Sequence, residues 1–223
     1  MSRTDYKNIQ VIGFDLDQTL YPKSPEIDEA RQEYIYQKIS DKLNVGIDEA
    51  KIKFNKLYQK GKGLSGSKSL IKLGFDIDIA KNIVQEALEK ADIAKFLIPN
   101  QETLGLLEKT KAKYKSIDLI TGSNKNNTEI KLGKLAIPSK LFSHIITGDD
   151  GSKPGLSAFH IWLNHYPNYK PKSFLYIGDR VSSDFEKPKE LGIKSILVNI
   201  QTPDITVDCL QLKSLLEIEK YLI

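Results

Sequence analysis

The stretch Gln10-Val11-Ile12-Gly13-Phe14-Asp15-Leu16-Asp17-Gln18-Thr19 decides the fold of this 223-residue chain. Its first half is short and apolar; its second half is polar and carries two aspartates two positions apart. A continuous apolar run that stops abruptly at polar residues is the pattern of a parallel strand covered on both faces. Four more runs of strand length follow: Ile117 to Thr121, His144 to Thr147, Phe174 to Gly178 and Ser195 to Val198. Helical spacing separates them, with Leu104, Leu107 and Glu108 before the second and Ile130 to Leu135 after it. Ala158 to Leu163 precedes the fourth, and Phe185 to Leu191 the fifth. This alternation predicts right-handed βαβ crossovers and an α/β fold with a doubly wound parallel sheet.

One segment breaks the alternation. Between Pro22 and Ile98 only helical signals occur. Ser24-Pro25-Glu26 reads as an N-cap, a first-turn proline and an acid suited to a helix N-terminus. Ile27, Ala30, Tyr34, Ile35, Ile39 and Leu43 continue an apolar face at spacings of three and four. Ala50, Phe54 and Leu57 predict a second helix closing at Gly61; Ile79, Ile83, Ala87 and Ala91 predict another. Between them the glycine-rich stretch from Gly61 to Gly66 predicts a loop. The expected organisation is a core of residues 1–21 and 99–223 with a smaller all-helical cap domain, 22–98, inserted after the first strand.

Composition narrows the function classes. Hydrophobic residues at 40% and charged residues at 28% suit a globular chain and not a disordered one. Thirty-three Lys+Arg against 29 Asp+Glu give +4 with no dense basic block, so no nucleic-acid partner is expected. Cys209 is the single cysteine, which excludes an internal disulfide and a cysteine-based zinc site. No apolar run reaches the ~18–20 residues of a membrane span. The polar start does not read as a signal peptide. The expectation is a soluble cytoplasmic monomer or homodimer, with no membrane partner.

Ligands of open α/β sheets bind beyond the carboxyl ends of the strands. Polar residues gather there: Asp15 and Asp17 after strand one, Thr121 ending strand two, Lys153 after strand three, Asp179 and Asp184 after strand four. Carboxylates converging at one sheet edge repel each other strongly without a cation, which implies a hard divalent metal, Mg²⁺ first. His144, His160 and His165 lie off the predicted strand ends and are not assigned a catalytic role.

In order, Phe14-Asp15-Leu16-Asp17-Gln18-Thr19, Leu119-Ile120-Thr121-Gly122, Lys153-Pro154 and Ile177-Gly178-Asp179 with Asp184 five positions on resemble the four motifs of the haloacid dehalogenase-like superfamily. The resemblance spans essentially the whole chain and implies a Rossmann-like core with a helical cap of the first class. By that resemblance Asp15 is the nucleophile and Asp17 the general acid/base, while Thr121 and Lys153 hold the phosphoryl oxygens. It further implies Mg²⁺ ligated by Asp15, Asp179 and the backbone carbonyl of Asp17, with Asp184 behind them. Asp17 points to phosphate rather than carbon–halogen chemistry, since the dehalogenases lack an acid there. The expected activity is Mg²⁺-dependent hydrolysis of a small-molecule phosphate monoester through an aspartyl phosphate. For such a substrate, four ionised aspartates and a phosphate dianion exceed the charge of Mg²⁺ and Lys153 by three, which predicts a protonated Asp17 in the substrate complex, raised by its acidic neighbours.

Within the superfamily, Leu20-Tyr21-Pro22 after the first motif resembles the pyrimidine 5′-nucleotidase branch, which points to a nucleoside 5′-monophosphate. Lys62 and Gly63 stand where that branch has two threonines, and Gly122 where many relatives have asparagine. Gly122 and Lys62 are candidate substrate contacts; Tyr58 and Tyr21 are candidates to stack on a base or sugar. The alternatives are a phosphoglycolate or sugar-phosphate phosphatase or mutase, and a non-catalytic binding protein on the same fold.

Overall fold

The computed structural model describes residues 6–58, 65–89 and 93–223. Two compact units form, Ser24–Phe96 on one hand and Met1–Lys23 with Leu97–Ile223 on the other. The divisions fall two residues inside the bounds 22 and 98 read from sequence.

The first unit is helical: α1 (Pro25–Leu43), α2 (Ile47–Tyr58), α3 (Gly66–Lys72) and α4 (Ile77–Glu89). Ser24 Oγ accepts from Ile27 N at 3.2 Å, with Pro25 next and Glu26 and Asp28 in the first turn. α1 stops where Asn44 turns left-handed (φ 52°) and its N–H reaches back to Ser40 O. Ile35, Tyr36, Ile39, Ala50, Phe54, Leu70, Phe75, Ala80 and Ile83 make the apolar core. Two details differ from the sequence reading. Ile83 and Ala87 are buried on the inner face of α4 as read, but its first position is taken by Ala80, and Ile79 is exposed. Gly66 opens α3 behind a Ser65 cap, while Gly61 to Leu64 and Ala91 lie outside the described residues.

The second unit holds β1 (Val11–Phe14), β2 (Ser116–Ile120), β3 (Ile145–Ile146), β4 (Phe174–Gly178), β5 (Lys194–Leu197) and β6 (Leu210–Gln211). All pairings are parallel and the order is β3-β2-β1-β4-β5-β6. Helices α5 (Gln101–Lys113), α6 (Lys125–Lys134), α7 (Ser157–Asn164), α8 (Lys187–Glu190) and α9 (Glu219–Leu222) belong to the same unit. The five strands read from sequence are present. β6, only two residues long, carries too short a pattern to be read.

α7 packs its apolar face on the sheet through Ala158, Phe159 and Trp162. Trp162 lies so close to β1 that a Cβ on Gly13 would stand 2.8 Å from its ring. Its indole N–H donates to Asp118 Oδ2 at 2.8 Å, a buried carboxylate inside β2. Among the described residues, no helix is long and apolar enough to cross a membrane.

Candidate active site

In this strand order the chain winds outward in opposite directions from β1 and β4, so the crevice of an open sheet lies at their carboxyl ends. Asp15 continues β1, its N–H donating to Ile177 O at 2.8 Å. Beyond it the chain turns sharply. Gln18 is left-handed (φ 62°), and the Thr19 and Leu20 N–H groups both donate to Leu16 O. A non-glycine residue there is strained, and Asn199, itself at φ 59°, secures the turn by donating from Nδ2 to Gln18 O at 2.8 Å. The turn returns Thr19 to Asp15, where its hydroxyl donates to Oδ2 at 3.4 Å.

Asp15, Asp179 and Asp184 are all buried, and one carboxylate oxygen from each lies within 4.8 Å of the others. Lys153 Nζ stands among them, 2.6 Å from Asp15 Oδ1 and 3.0 Å from Asp184 Oδ1. It also donates to the Tyr176 hydroxyl at 3.1 Å, which in turn donates to Ile120 O at 2.7 Å. Tyr176 thereby orients the lysine while keeping its own proton directed at the backbone. Besides the Lys153 ammonium, Asp184 accepts from three further donors: Asp179 N, Arg180 N and Ser183 Oγ. Its carboxylate is thus committed to holding the backbone of Asp179 and the head of Lys153. Lys23 Nζ approaches Asp179 Oδ2 at 3.4 Å from a half-exposed position.

Asp15 and Asp179 do not titrate ordinarily. Burial pushes Asp15 up from 3.8 to about 7; Lys153 opposes this, and Asp184, Asp179 and Asp17 add to it. Burial likewise raises Asp179, against the pull of Arg180. Burial pulls the Lys153 ammonium down, but Asp15 and Asp184 outweigh it and hold its pKa well above the usual value. Three buried carboxylate donors meet here, and burial penalises the charge of Asp15 and Asp179, which a hard divalent cation relieves.

Asp17 stands in a different environment, and one expectation is corrected there. Its Oδ1 accepts from Lys131 Nζ at 2.6 Å and from Tyr21 OH at 2.5 Å, and its Oδ2 from Ser123 Oγ at 2.6 Å. Burial pushes its carboxyl up, but the Lys131 charge and the bonds from Lys131, Ser123 and Tyr21 outweigh this and hold it below the usual value. Without substrate, Asp17 is therefore lowered and not raised by its acidic neighbours, because the charge count omitted a second buried lysine; the protonated form belongs to the substrate complex, where the charge of the phosphate is added. The side chain of Asp17 also stands outside the acidic group, so any place for this residue at the metal falls to its backbone carbonyl.

Lys131 is the residue that sequence reasoning missed. It lies on α6 at a position flanked by lysines, Lys125 and Lys134, and nothing in its neighbours separates it from a solvated face. The available signal is phase: Thr128, Lys131 and Leu132 share the buried face of α6.

The other expected site residues are placed as follows. Thr121 is buried directly after β2, its N–H donating to Ile146 O and its hydroxyl accepting from Ser123 N at 3.1 Å. Gly122 follows at the same sheet end, with open space where a Cβ would stand. Lys62 lies outside the described residues. Tyr21 is buried with its hydroxyl on Asp17, and Tyr58 stacks on Phe54 at 5.1 Å, so both rings are engaged within their own units. His144 precedes β3 rather than lying in it, half-buried, with Nδ1 3.2 Å from Asp118 and its ring stacked on His165. His160 is exposed on α7.

Glycine at position 178 is required by this arrangement. A Cβ there would fall 2.5 Å from Cβ, Cγ and Oδ2 of Asp184. Gly178→Ala therefore drives Asp184 away from Asp179 N and Lys153. Overpacking of this kind costs about 1–3 kcal/mol, and loss of a supporting carboxylate weakens metal binding roughly 10–100-fold. Titration of Mg²⁺ against thermal unfolding checks this, and unchanged affinity in the variant contradicts it.

Residues 12–198 match the haloacid dehalogenase-like hydrolase family, and the chain belongs to it. It is an enzyme of that family. A curated relative, the glyceraldehyde 3-phosphate phosphatase of Methanocaldococcus jannaschii, is 30% identical over 196 residues, covering 85% of each chain. Among solved structures, the haloacid dehalogenase-like protein SP0104 of Streptococcus pneumoniae shares the fold at a TM-score of 0.66 and 18% identity, covering 97% of this chain and 99% of that one. The magnesium-bound hydrolase YfnB of Bacillus subtilis does so at 0.58 and 15%, covering 97% and 100%.

Proposed function

We propose that this chain is a Mg²⁺-dependent phosphatase that transfers the phosphoryl group of a small phosphate monoester to Asp15 and then to water. The observation that carries this reading is Asp15 held between Lys153 and two further buried carboxylates at the sheet's switch point. Asp15 and Asp179, with Asp184 behind them, are the residues to hold Mg²⁺, which when bound supplies the positive charge that lets an anionic phosphate approach a carboxylate.

The chain's own groups then do the following. An Asp15 oxygen attacks phosphorus in line, forming the P–O bond of the aspartyl phosphate as the bond to the substrate alcohol breaks. The alcohol oxygen leaves with a proton from the Asp17 carboxyl, which becomes the carboxylate. Water next attacks the same phosphorus, its proton passes to Asp17, and the electron pair of the Asp15–P bond returns to Asp15. Lys153 and the Thr121 hydroxyl stabilise the phosphoryl oxygens throughout. Asp17 therefore alternates, and the ionised form bound to Lys131 is the one that awaits water. The helical unit retains its sequence reading as the cap.

As substrate we infer a small sugar phosphate, with a three-carbon one such as glyceraldehyde 3-phosphate first, supported by the relative above. The nucleotide reading loses support where Tyr21 and Tyr58 are engaged elsewhere. The test is a panel of glyceraldehyde 3-phosphate, phosphoglycolate, hexose phosphates, nucleoside 5′-monophosphates and p-nitrophenyl phosphate, with Mg²⁺ or EDTA. The expected result is phosphate release that EDTA abolishes, with the highest kcat/KM on the triose phosphate. No metal-dependent release from any substrate contradicts the phosphatase reading; a nucleotide preference contradicts only the substrate.

A further inference from the structure

Lys131 is a buried cation that none of the four sequence motifs contains, yet its ammonium lies 2.6 Å from Asp17 Oδ1 and 2.8 Å from Ser123 Oγ. We propose that Lys131, together with Ser123, is a positioning residue for the second half of the reaction: it fixes the Asp17 carboxylate where the water that hydrolyses the aspartyl phosphate must hand over its proton. The inference deepens the phosphatase reading and rests on it.

The geometry separates the two lysines by task. Lys153 is bonded to Asp15 and Asp184, at the phosphoryl end of the site. Lys131 is bonded to Asp17 and Ser123, at the proton-transfer end. Ser123 connects both Asp17 oxygens into one unit, donating to Oδ2 while accepting from the lysine that holds Oδ1. The carboxylate is thus gripped at both oxygens, with Tyr21 a third donor. Ser123, Asp17 and Tyr21 sit on segments that follow β2 and β1, whereas Lys131 reaches them from the second turn of α6. An ammonium brought in from a helix and buried at that spot costs desolvation that the Asp17 carboxylate offsets. A base must stand within hydrogen-bond reach of the proton it takes, and a carboxylate left to rotate loses that geometry. Displacements near 1 Å cost on the order of 10²-fold in rate.

p-Nitrophenyl phosphate isolates this step, because nitrophenolate leaves without needing a proton. Rapid mixing of Lys131→Met with this ester and Mg²⁺ is expected to release a first equivalent of nitrophenol per enzyme at close to the wild-type rate. Steady turnover then falls roughly 10²-fold, and intact-mass measurement shows the enzyme carrying one phosphoryl group. Lys131→Arg, which keeps the charge, recovers much of the steady rate. Loss of a buried charge partner can prevent folding, so Ser123→Ala, which strands no charge, provides the second arm: the same slow phase appears, about tenfold milder. A folding defect lowers the first equivalent and leaves the rate per active site unchanged, which the burst amplitude reads directly. Wild-type steady turnover per active site in both variants, or a fall without accumulated phospho-enzyme, overturns the proposal. Its failure differs from failure of the phosphatase reading, in which the wild-type protein itself forms no phospho-enzyme.

Discussion

Asp15→Asn lowers Mg²⁺-dependent hydrolysis of p-nitrophenyl phosphate by at least about 10⁴-fold, the scale of loss seen when a nucleophile is removed. The carboxamide keeps the shape of the side chain and can still accept a bond from Lys153, 2.6 Å away in the wild type. What it lacks is the anionic oxygen that attacks phosphorus. Two explanations of a large loss must be separated, since Asp15 is also one of the three carboxylates suited to a cation. If Asp15 served only the metal, raising Mg²⁺ would restore activity to the variant, because occupancy follows mass action. As nucleophile it is not restored at any Mg²⁺ concentration, and no phosphoryl adduct forms. Rescue by millimolar Mg²⁺, or a phosphoryl adduct located on another residue, contradicts the role given to Asp15. Thermal unfolding accompanies the assay, so that loss of fold is not mistaken for loss of chemistry.

Most of the sheet unit was legible because its strands are buried on both faces and end abruptly at polar residues. Asp15, Lys153, Asp179 and Asp184 could be named from their order and placement after successive strands, and the structure brings them together. Two kinds of residue escaped. Asp118 sits inside a run read as apolar and is tolerated there because Trp162, Tyr166, Ser116 and His144 all bond to it, partners from 2 to 48 positions away in sequence. Lys131 likewise becomes distinctive only when Asp17, 114 positions earlier, is placed beside it. Strand periodicity is a local signal, whereas the partner of a buried charge is set by the tertiary fold. The direction expected for Asp17 without substrate has the same origin: a charge count limited to motif residues omits the cation that lowers its pKa. In the helical unit Ile83 and Ala87 are legible from their spacing, and Ala80 replaces Ile79 because both lie at an apolar helical spacing from Ile83, three and four positions away respectively.

Without a divalent cation, the protein loses stability as the pH rises from about 4 to about 7, the reverse of ordinary acid denaturation. Asp15 has a folded-state pKa of about 7 against 3.8 for an ordinary aspartate. Between these values the folded protein keeps a proton that the unfolded chain has released, so raising the pH favours unfolding. Above about 7 the penalty is fully present, and below 3.8 it vanishes because both states are protonated. Asp179, also raised by burial, acts in the same direction. Asp17 acts oppositely and elsewhere: its lowered pKa stabilises the fold above the ordinary carboxylate value, and that contribution is lost only as the pH falls through the lowered one. Each tenfold change in proton affinity is worth about 1.4 kcal/mol, so Asp15 alone contributes on the order of 3–4 kcal/mol across the window. Urea unfolding in EDTA at pH 5 and pH 8 measures the loss, and the difference between wild type and Asp15→Asn isolates this residue from all other titrations. In the wild type, saturating Mg²⁺ reverses the decline, because a cation bound among the three carboxylates favours their ionised form. An EDTA-treated protein as stable at pH 8 as at pH 5, with the Asp15→Asn variant showing the same profile, contradicts the strained acidic cluster on which the metal reading stands.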